Sequence, residues 1–259
     1  MQEKSTVQHI SSWLLDTVFP RSCLSCHRLL AVRSPHRYLC AKCMEFVRYQ
    51  TSFRCAFCTN TTIMGATCQK CDHNHSLDRL LVTVDYQDKI TERIVKALKY
   101  RFATEVAQDI GELMATFLVP KLPFIDFNRS RTIIVPIPLH TRRLRWRGFN
   151  QAELIAREIA SRLELPLEAG ALKRLTHGTP QADIKNREDR IKNARGLFAL
   201  SQTPSALPLQ LKGESERVRG QVVLLIDDLS TTGSTLNEAA HVLKSAGARE
   251  VIGFVFARG

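Results

Sequence analysis

The segment VVLLIDDLSTTGST at residues 222–235 decides the fold of this chain. Its first five residues are all Val, Leu or Ile, a composition that predicts a strand buried on both faces. Asp227 and Asp228 follow, then a turn of small polar residues, and residues 236–246 have the periodicity of a helix. A strand that leads into a helix through such a turn is typical of an α/β fold with a parallel sheet.

The two acidic residues stand at the carboxyl end of this strand, where open α/β sheets bind ligands. Adjacent carboxylates at that position can accept hydrogen bonds from the two vicinal hydroxyls of a ribose. Beyond them, Gly233 allows the backbone to close around an anion, and the following helix offers N–H groups and its positive dipole end to a terminal phosphate. Further donors are the hydroxyls of Thr231, Thr232, Ser234 and Thr235.

Simpler explanations of this segment have to be weighed. The Walker pattern GxxxxGK followed by Ser or Thr is absent, and so is the dinucleotide pattern GxGxxG. An ordinary strand and N-capped helix would also produce these residues, with Ser230 or Thr231 as the cap and Asp227 merely solvated. A short motif can occur by accident, so the rest of the chain has to decide.

Strand and helix patterns alternate outward from this segment. The further predicted strands are LLVTVDY (80–86), TIIVPIPL (132–139) and VIGFVFA (251–257). Apolar residues at helical spacing predict helices over residues 90–98, 110–117 and 152–163. The expected fold is therefore α/β, a parallel sheet with flanking helices.

An arginine-rich segment, HTRRLRWRGFNQAELIA (140–156), follows the strand TIIVPIPL. Guanidinium groups pair bidentately with phosphate oxygens, so the cluster could hold a pyrophosphate group or a nucleic-acid backbone. A solvated basic surface is the alternative, but the position directly after a strand end favours an anion site. The arginines are Arg142, Arg143, Arg145 and Arg147, with Trp146 between the last two and Gly148 predicting a tight turn.

Two polar segments interrupt the pattern. Residues 173–195 are charged and poorly periodic, which predicts a loop or flap over a site. Residues 201–220 contain prolines, glycines and serines and are predicted to be a surface connection.

All eight cysteines lie in the first third of the chain and form four CxxC pairs. Two residues between thiolates let both sulfurs reach one metal, and two such pairs complete the four-thiolate shell that zinc prefers. Two structural zinc sites are expected; sequential pairing matches two tandem zinc ribbons, and interleaved pairing stays open. The predicted ligands are Cys23, Cys26, Cys40, Cys43, Cys55, Cys58, Cys68 and Cys71.

Disulfides, free structural cysteines and redox catalysis are the alternatives to zinc. The amino-terminal pattern predicts a short amphipathic helix and not a signal peptide. The lack of a signal-peptide pattern disfavours disulfides and predicts a cytoplasmic protein. No βαβ context surrounds a CxxC pair, as a redox motif would require. Nearby histidines could replace a cysteine, although with eight thiols available they are expected at the surface: His27, His36, His73 and His75.

Composition and net charge indicate the domain organisation and the classes of binding partner. The cysteine distribution predicts two domains: residues 1–76 with an N-terminal helix and double zinc ribbon, and residues 77–259 with the α/β sheet. No apolar stretch is long enough to span a membrane. The formal net charge of +12 points to phosphates, nucleic acid or an anionic membrane surface as partners, and charge alone does not choose among them.

The segment 222–235 resembles the phosphoribosyl pyrophosphate (PRPP) motif of type I phosphoribosyltransferases, in which four apolar residues, two acidic residues and a TTG-type turn recur. By this resemblance Asp227 and Asp228 hold the ribose hydroxyls. The 5′-phosphate is expected at Ser230, Thr231, Thr232, Gly233, Ser234 and Thr235.

The whole arrangement resembles the ComF competence family, which joins a double zinc ribbon to a phosphoribosyltransferase domain. The matching segments are FPRSCLSC (19–26), ALKY (97–100), VPIPLHTRRLRWRGFNQ (135–151), TPQADIKNREDRIKN (179–193) and LLIDDLSTTGST (224–235). They occur in the family's order across most of the chain. Ile184 stands where leucine is expected, and the connection 201–220 is longer and more polar than usual.

The resemblance implies displacement of pyrophosphate from the ribose, with Asp227, Asp228 and Arg147 as catalytic residues and Mg²⁺ on the diphosphate. Positioning and electrostatics would supply the catalysis. Lys99 is a further possible contact or an exposed lysine. The expected pyrophosphate and flap residues are Arg142, Arg143, Arg147, Gln181, Arg187 and Arg190.

The family likeness also implies a role in the uptake of single-stranded DNA, with that DNA and uptake proteins as candidate partners. A non-catalytic PRPP sensor or nucleic-acid-binding module is the competing interpretation. The acceptor of a transfer reaction is not visible in the sequence.

Overall fold

The structure is a computed structural model that describes residues 21–31, 38–86, 89–98, 103–175, 196–201 and 217–259, without the side chains of residues 103 and 104. The predicted N-terminal helix, most of the predicted flap and most of the connection 201–220 lie outside these ranges. Among the described residues, no helix has both the length and the apolar character needed to cross a bilayer.

The described elements alternate as the sequence patterns indicate. The α-helices are α1 (Ala41–Glu45), α2 (Gln69–Asp72), α3 (Lys89–Leu98), α4 (Ala103–Leu118), α5 (Thr141–Arg147), α6 (Gln151–Leu163) and α7 (Ser234–Ser245). The strands are β1 (Arg79–Asp85), β2 (Thr132–Pro136), β3 (Leu172–Arg174), β4 (Phe198–Leu200), β5 (Val222–Ser230) and β6 (Glu250–Arg258). Short 3₁₀ turns cover Ile63–Gly65 and Val119–Phe124.

A four-stranded parallel sheet in the order β1-β6-β5-β2 forms the centre of the fold. The predicted strand at residues 222–226 is the inner strand β5, and all five of these residues are buried. Helices cover both faces of the sheet, so an inner strand needs an uninterrupted apolar run and not an alternating one. The predicted parallel α/β fold is confirmed.

Two apolar cores lie on opposite faces of this sheet. One joins α3, α4 and α6 to Leu224 and Ile226 of β5, and the other joins α7 to Val223 and Leu225. Side chains of successive strand residues point to opposite faces, so one apolar strand supplies both cores.

The cysteine-containing segment covers the exposed edge of β1. Gln50 donates its backbone N–H to the carbonyl of Thr83 at 2.8 Å, and Thr67 donates to the carbonyl of Asp78 at 2.7 Å. Cys23 and Cys43 belong to the core on the α3, α4 and α6 face, whereas Cys55 and Cys71 belong to the core on the α7 face. The two cysteine clusters therefore lie on opposite faces of the sheet. The domain boundary at residues 76 and 77 stays a prediction.

The structure departs from the sequence patterns in three places. Strand β5 does not end at the acidic pair but continues to Ser230, because β6 extends to Arg258 and pairs with it. The arginine-rich segment forms helix α5, which ends at Gly148 with a φ of 83°. The predicted loop at 173–195 begins with β3, which pairs antiparallel with β4.

Candidate functional site

The acidic pair lies at the carboxyl edge of the sheet. Asp227 is paired in register with Val255 of β6, while Ile226 is paired with Pro136 at the end of β2. The N–H of Ile137 continues the ladder by donating to the carbonyl of Ile226 at 2.9 Å. Both aspartates remain partly exposed, so they face a region that a ligand can reach.

The surroundings of the acidic pair disfavour the ionisation of both carboxyl groups at once. Burial raises the pKa of Asp227 well above its usual range, and the adjacent charge of Asp228 raises it further. The backbone N–H of Asp228 donates to Oδ1 of Asp227 at 2.9 Å and, together with the charge of Arg174, opposes the rise in this pKa. The pair therefore gains from any positively charged or hydrogen-bond-donating ligand.

The small-residue turn connects β5 to α7. Gly233 adopts a φ of 76°, a backbone conformation that favours glycine, and it is the N-cap residue of α7. The hydroxyls of Thr232 and Ser234 are 2.8 Å apart, and Ser234 is the first residue of the helix. The first-turn N–H groups of a helix have no acceptor within the helix, so the turn has the local structure of an anion site.

Arg147 at the end of α5 approaches the acidic pair. Burial lowers its pKa, the charge of Arg143 lowers it further, and the charge of Asp228 opposes both effects. Its Nε atom is buried without a hydrogen-bond partner in the described part of the chain. A partly buried guanidinium with an unsatisfied donor is suited to an anionic ligand, because the ligand would supply the missing acceptor.

Arg174 at the end of β3 is a site residue that the sequence reasoning missed. Burial lowers its pKa, while the charge of Asp227 raises it and the charge of Arg143 lowers it. Its Nε atom is also buried without a partner among the described residues, and its guanidinium lies 5.5 Å from the ring of Phe198. A single arginine at the start of a highly charged segment carries no sequence pattern that marks it as a site residue. Its position near Asp227 depends on the pairing of β3 with β4.

The structure brings together part of the predicted site. The acidic pair, the turn at residues 230–235, Arg143 and Arg147 lie around one sheet edge, as the pKa effects and the strand register indicate. Arg142 is exposed on α5. Gln181, Arg187 and Arg190 lie outside the described residues, as does Lys99. The ligand roles of all these residues stay predictions.

The cysteines form two separate clusters, Cys23 with Cys26, Cys40 and Cys43, and Cys55 with Cys58, Cys68 and Cys71. Within each cluster the four sulfur atoms lie within 4.8 Å of one another. Sulfurs of a tetrahedral zinc site with Zn–S bonds of about 2.3 Å are about 3.8 Å apart. The observed distances of 3.7 Å between the sulfurs of Cys26 and Cys40 and 3.4 Å between those of Cys58 and Cys68 fit zinc. Sequential pairing is confirmed.

The two clusters repeat the same local chemistry. In the second cluster, burial raises the pKa of Cys55, but backbone N–H donors from Cys68, Phe57 and Cys58 outweigh it and lower the value to about 7. Burial raises the pKa of Cys71 to about 12. The equivalent residues of the first cluster have pKa values of about 7 at Cys23 and about 12 at Cys43. Burial and hydrogen bonding together thus shift these pKa values in the same directions in both clusters, and zinc binding requires the thiols of each cluster to be deprotonated.

The histidines are not required as ligands. His75 does not lie free on the surface, as the sequence suggested, but stacks on Phe57 with ring centroids 3.5 Å apart. Its Nδ1 atom lies 2.7 Å from the carbonyl oxygen of Cys71. His27 and His73 are exposed, as expected.

A cavity of about 150 Å³ lies between the second cysteine cluster and β1. Its wall combines the apolar residues Val82 and Val84 with polar side chains, among them Gln50 and Arg54. Arg258, which hydrogen-bonds to the turn after β5, also lines it. Arg258 therefore borders both the cavity and the turn.

Comparison with known protein families finds two separate matches along the chain. Residues 14–72 match the double zinc ribbon domain, and residues 150–259 match the phosphoribosyl transferase domain. The second match contains the acidic pair and the whole turn that follows it.

Curated relatives carry names from DNA uptake and use. Over 118 residues the chain is 32% identical to Competence protein F of Haemophilus influenzae, a match that covers 46% of each chain. It is 27% identical to the DNA utilization protein YhgH of Escherichia coli K12, covering 90% of this chain and 94% of that protein. It is also 27% identical to Competence protein ComFC of Bacillus subtilis, covering 85% and 83%. These matches confirm the resemblance to the ComF family.

We expect the purified protein to contain two zinc ions per chain, measured by elemental analysis. Cys26→Ser and Cys58→Ser should each lower the content to one, because three thiolates no longer complete a tetrahedral shell. His27→Ala is the control and should retain both ions, since each cluster already has four sulfurs. A content of one ion or none in the wild-type protein would contradict the tandem-ribbon assignment.

Asp227→Asn should raise the thermal unfolding midpoint of the ligand-free protein. The folded state holds the Asp227 proton to a higher pH than the unfolded chain does, so stability is lost as pH rises from about 4 through the raised pKa. The variant cannot ionise there, and its advantage should therefore grow over that pH range. The measurement is a series of thermal unfolding curves between pH 4 and pH 8.

Asp126→Asn serves as the control for this series, because Asp126 forms an exposed ion pair with Arg249 at 2.6 Å. It should bring no pH-dependent gain. Equal midpoints for Asp227→Asn and the wild type at every pH would refute the assigned electrostatics.

Proposed function

From the two-domain composition of the ComF family, a double zinc ribbon followed by a phosphoribosyl transferase domain, we propose that this chain binds PRPP and transfers its ribosyl phosphate to an acceptor. One observation carries the proposal. A carboxylate pair, a glycine turn at a helix start and two half-buried arginines share one edge of the sheet, and the buried Nε atoms of these arginines have no partner among the described residues. This arrangement matches a sugar that carries phosphate at both ends.

The 5′-phosphate would bind in the turn at residues 230–235. The positive end of the α7 dipole and the first-turn N–H groups favour a dianion there, and Gly233 lets the backbone approach it closely. Asp227 and Asp228 would then accept hydrogen bonds from the two ribose hydroxyls, which fixes the orientation of the sugar.

The diphosphate would extend toward α5 and β3. Arg147 and Arg174 each have a buried Nε atom without a partner among the described residues, and the diphosphate oxygens would satisfy both donors. Arg143 contributes charge from the same helix as Arg147, and Arg142 together with the flap residues Gln181, Arg187 and Arg190 is assigned the same role from the sequence. Bound Mg²⁺, held through ligand oxygens and the acidic pair, would neutralise the departing diphosphate.

The chain's own residues contribute by positioning and charge. Positive charge develops on the sugar as the bond to pyrophosphate breaks, and the aspartate pair lies where the ribose would be held. The arginines stabilise the negative charge of the leaving group, an effect that is strong in a partly desolvated site. No residue needs to form a covalent bond.

PRPP binding should be lost when both aspartates are replaced. Asp227→Ala together with Asp228→Ala removes two charge-assisted hydrogen bonds, each of about 1.5–3 kcal/mol, so affinity should fall at least about 100-fold. Isothermal titration of PRPP in the presence of Mg²⁺ measures this change. Asp126→Ala is the control and should bind as the wild type does; an unchanged affinity in the double variant would reject the assigned site.

Turnover separates an enzyme from a sensor. Labelled PRPP is incubated with nucleobases or with single-stranded DNA, and pyrophosphate release is followed. Release that depends on an added acceptor supports the transferase, whereas tight binding without release supports a non-catalytic PRPP sensor. We place the acceptor in the cavity between the second cysteine cluster and β1, because it shares Arg258 with the turn and offers an apolar wall and hydrogen-bonding side chains.

Binding of single-stranded DNA is a second candidate function, favoured by helix α5. Trp146 is 80% exposed on this helix, between Arg145 and Arg147. Arg142, Arg143 and Arg145 form no ion pair with the described part of the chain. An exposed indole beside cationic side chains suits base stacking and phosphate contact. The names of the relatives support a role in DNA uptake, which would place this chain in the cytoplasm with uptake proteins as partners.

Trp146→Ala should lower the affinity for a single-stranded oligonucleotide by about 5-fold to 100-fold, the effect of losing one stacked base. Fluorescence anisotropy at several salt concentrations measures this affinity and its salt dependence. Phe46→Ala, which removes an aromatic ring that is 60% exposed outside α5, is the control. Equal affinities for the two variants and the wild type would exclude α5 as the DNA-binding surface.

A further inference from the structure

We propose that the second zinc ribbon, the segment held by Cys55, Cys58, Cys68 and Cys71, positions the phosphate turn at residues 230–235, and that Arg258 is the positioning residue between them. The proposal rests on the PRPP site described above and extends it. Zinc at this ribbon would then be needed for ligand binding as well as for local folding. The first ribbon would not have this role.

Arg258 connects the two parts directly. It ends β6, where it is paired in register with Ser230 of β5. Its Nη2 atom donates to the carbonyl oxygen of Ala56 at 2.6 Å, and its Nε atom donates to the carbonyl oxygen of Thr231 at 3.3 Å. Ala56 lies between the zinc ligands Cys55 and Cys58. One guanidinium thus joins the backbone of the metal-binding turn to the backbone of the phosphate turn.

The metal-binding turn also packs on the glycine of the phosphate turn. A Cβ atom at Gly233 would lie 3.4 Å from the ring of Phe57 and 3.5 Å from the Cβ atom of Ala56. Phe57 is itself held by stacking on His75, whose Nδ1 atom lies 2.7 Å from the carbonyl oxygen of Cys71. The second ribbon therefore forms the wall against which the phosphate turn rests.

A third connection ties the helix after the turn to the chain leaving the ribbon. Oδ1 of Asn237, in the first turn of α7, accepts the backbone N–H of Ser76 at 2.8 Å and that of Leu77 at 3.2 Å. The phosphate turn is thus held on one side by the second ribbon and on the other by the chain that leaves this ribbon. Because an anion site at a helix start needs its N–H groups preorganised, movement of this wall should weaken phosphate binding.

The first ribbon is held in a different way. The carboxylate of Asp109 in α4 accepts the backbone N–H groups of Tyr38 and Leu39 at 2.9 and 3.1 Å. Arg93 of α3 donates to the carbonyl oxygen of Ser25 at 2.6 Å, within the first metal-binding turn. These contacts anchor the first ribbon to helices on the opposite face of the sheet. Arg93 is consequently a matched counterpart of Arg258, since each arginine bonds to a backbone carbonyl between two zinc ligands.

Arg258→Gln and Arg93→Gln test the proposal in the full-length, zinc-loaded protein. Titration with PRPP and Mg²⁺ should show at least a tenfold loss of affinity for Arg258→Gln and less than a twofold change for Arg93→Gln. Arg258→Lys keeps the charge but cannot bridge two carbonyls with a planar group, so it should also lose affinity. Full affinity in Arg258→Gln would overturn the proposal, and full recovery in Arg258→Lys would show that charge and not positioning matters.

Hydrogen exchange gives a readout that does not depend on the ligand. In Arg258→Gln, amide protection at residues 230–237 should fall relative to both the wild type and Arg93→Gln. If the wild type does not bind PRPP, the proposed function is wrong, but hydrogen exchange still tests the coupling between the second ribbon and the phosphate turn. If the wild type binds PRPP but exchange and affinity are unchanged in Arg258→Gln, only the coupling fails.

Removal of zinc is the complementary test. Cys58→Ser, with its zinc content measured, should lower both PRPP affinity and exchange protection of the phosphate turn. If this variant does not fold, the Arg258 variants decide the question, since they leave all eight zinc ligands in place. Wild-type affinity in a folded Cys58→Ser protein that has lost one zinc ion would overturn the proposed role of the metal.

Discussion

Parallel pairing of β5 between β2 and β6 is the constraint on which the rest of the structure depends. This strand supplies alternate side chains to the two cores, so it cannot shift by one residue without exchanging the faces of all its apolar residues. The register fixed in this way places Asp227 and Asp228 past the buried part of the strand and aligns Ser230 with Arg258. The site at the sheet edge is a consequence of how the core packs.

The site contains unfavourable electrostatic interactions and unsatisfied hydrogen-bond donors that a bound ligand can compensate. Asp227 is held close to a second carboxylate in a partly desolvated position, and the half-buried Arg147 and Arg174 have buried Nε atoms that donate to no described residue. The folded chain tolerates these costs because the surrounding strands and helices are fixed by their own packing. A ligand with hydroxyls in the middle and phosphate at each end would satisfy both sets of groups.

The cysteine-containing segment packs against the sheet and is not a separate appendage. Its backbone hydrogen bonds to β1 cover a sheet edge that could otherwise pair with other chains, and its two clusters lie on opposite faces of the sheet. Metal binding therefore stabilises more than two small ribbons. The two cysteine clusters have the same ligand pattern but different neighbours. The first cluster packs against helices on one face of the sheet, and the second packs against the phosphate turn on the other face.

Residue types and their spacing were sufficient to predict the inner strand, the acidic pair, the glycine turn and the two tandem cysteine clusters. All of these are local patterns whose residue types and spacing follow from nearby geometry. Long-range packing, in contrast, brings Arg174 to the site, connects the second ribbon to the phosphate turn through Arg258, and places Phe57 against Gly233. These contacts join residues far apart in the chain: a single arginine or phenylalanine carries no periodic signal, and its neighbour is set by sheet register and packing.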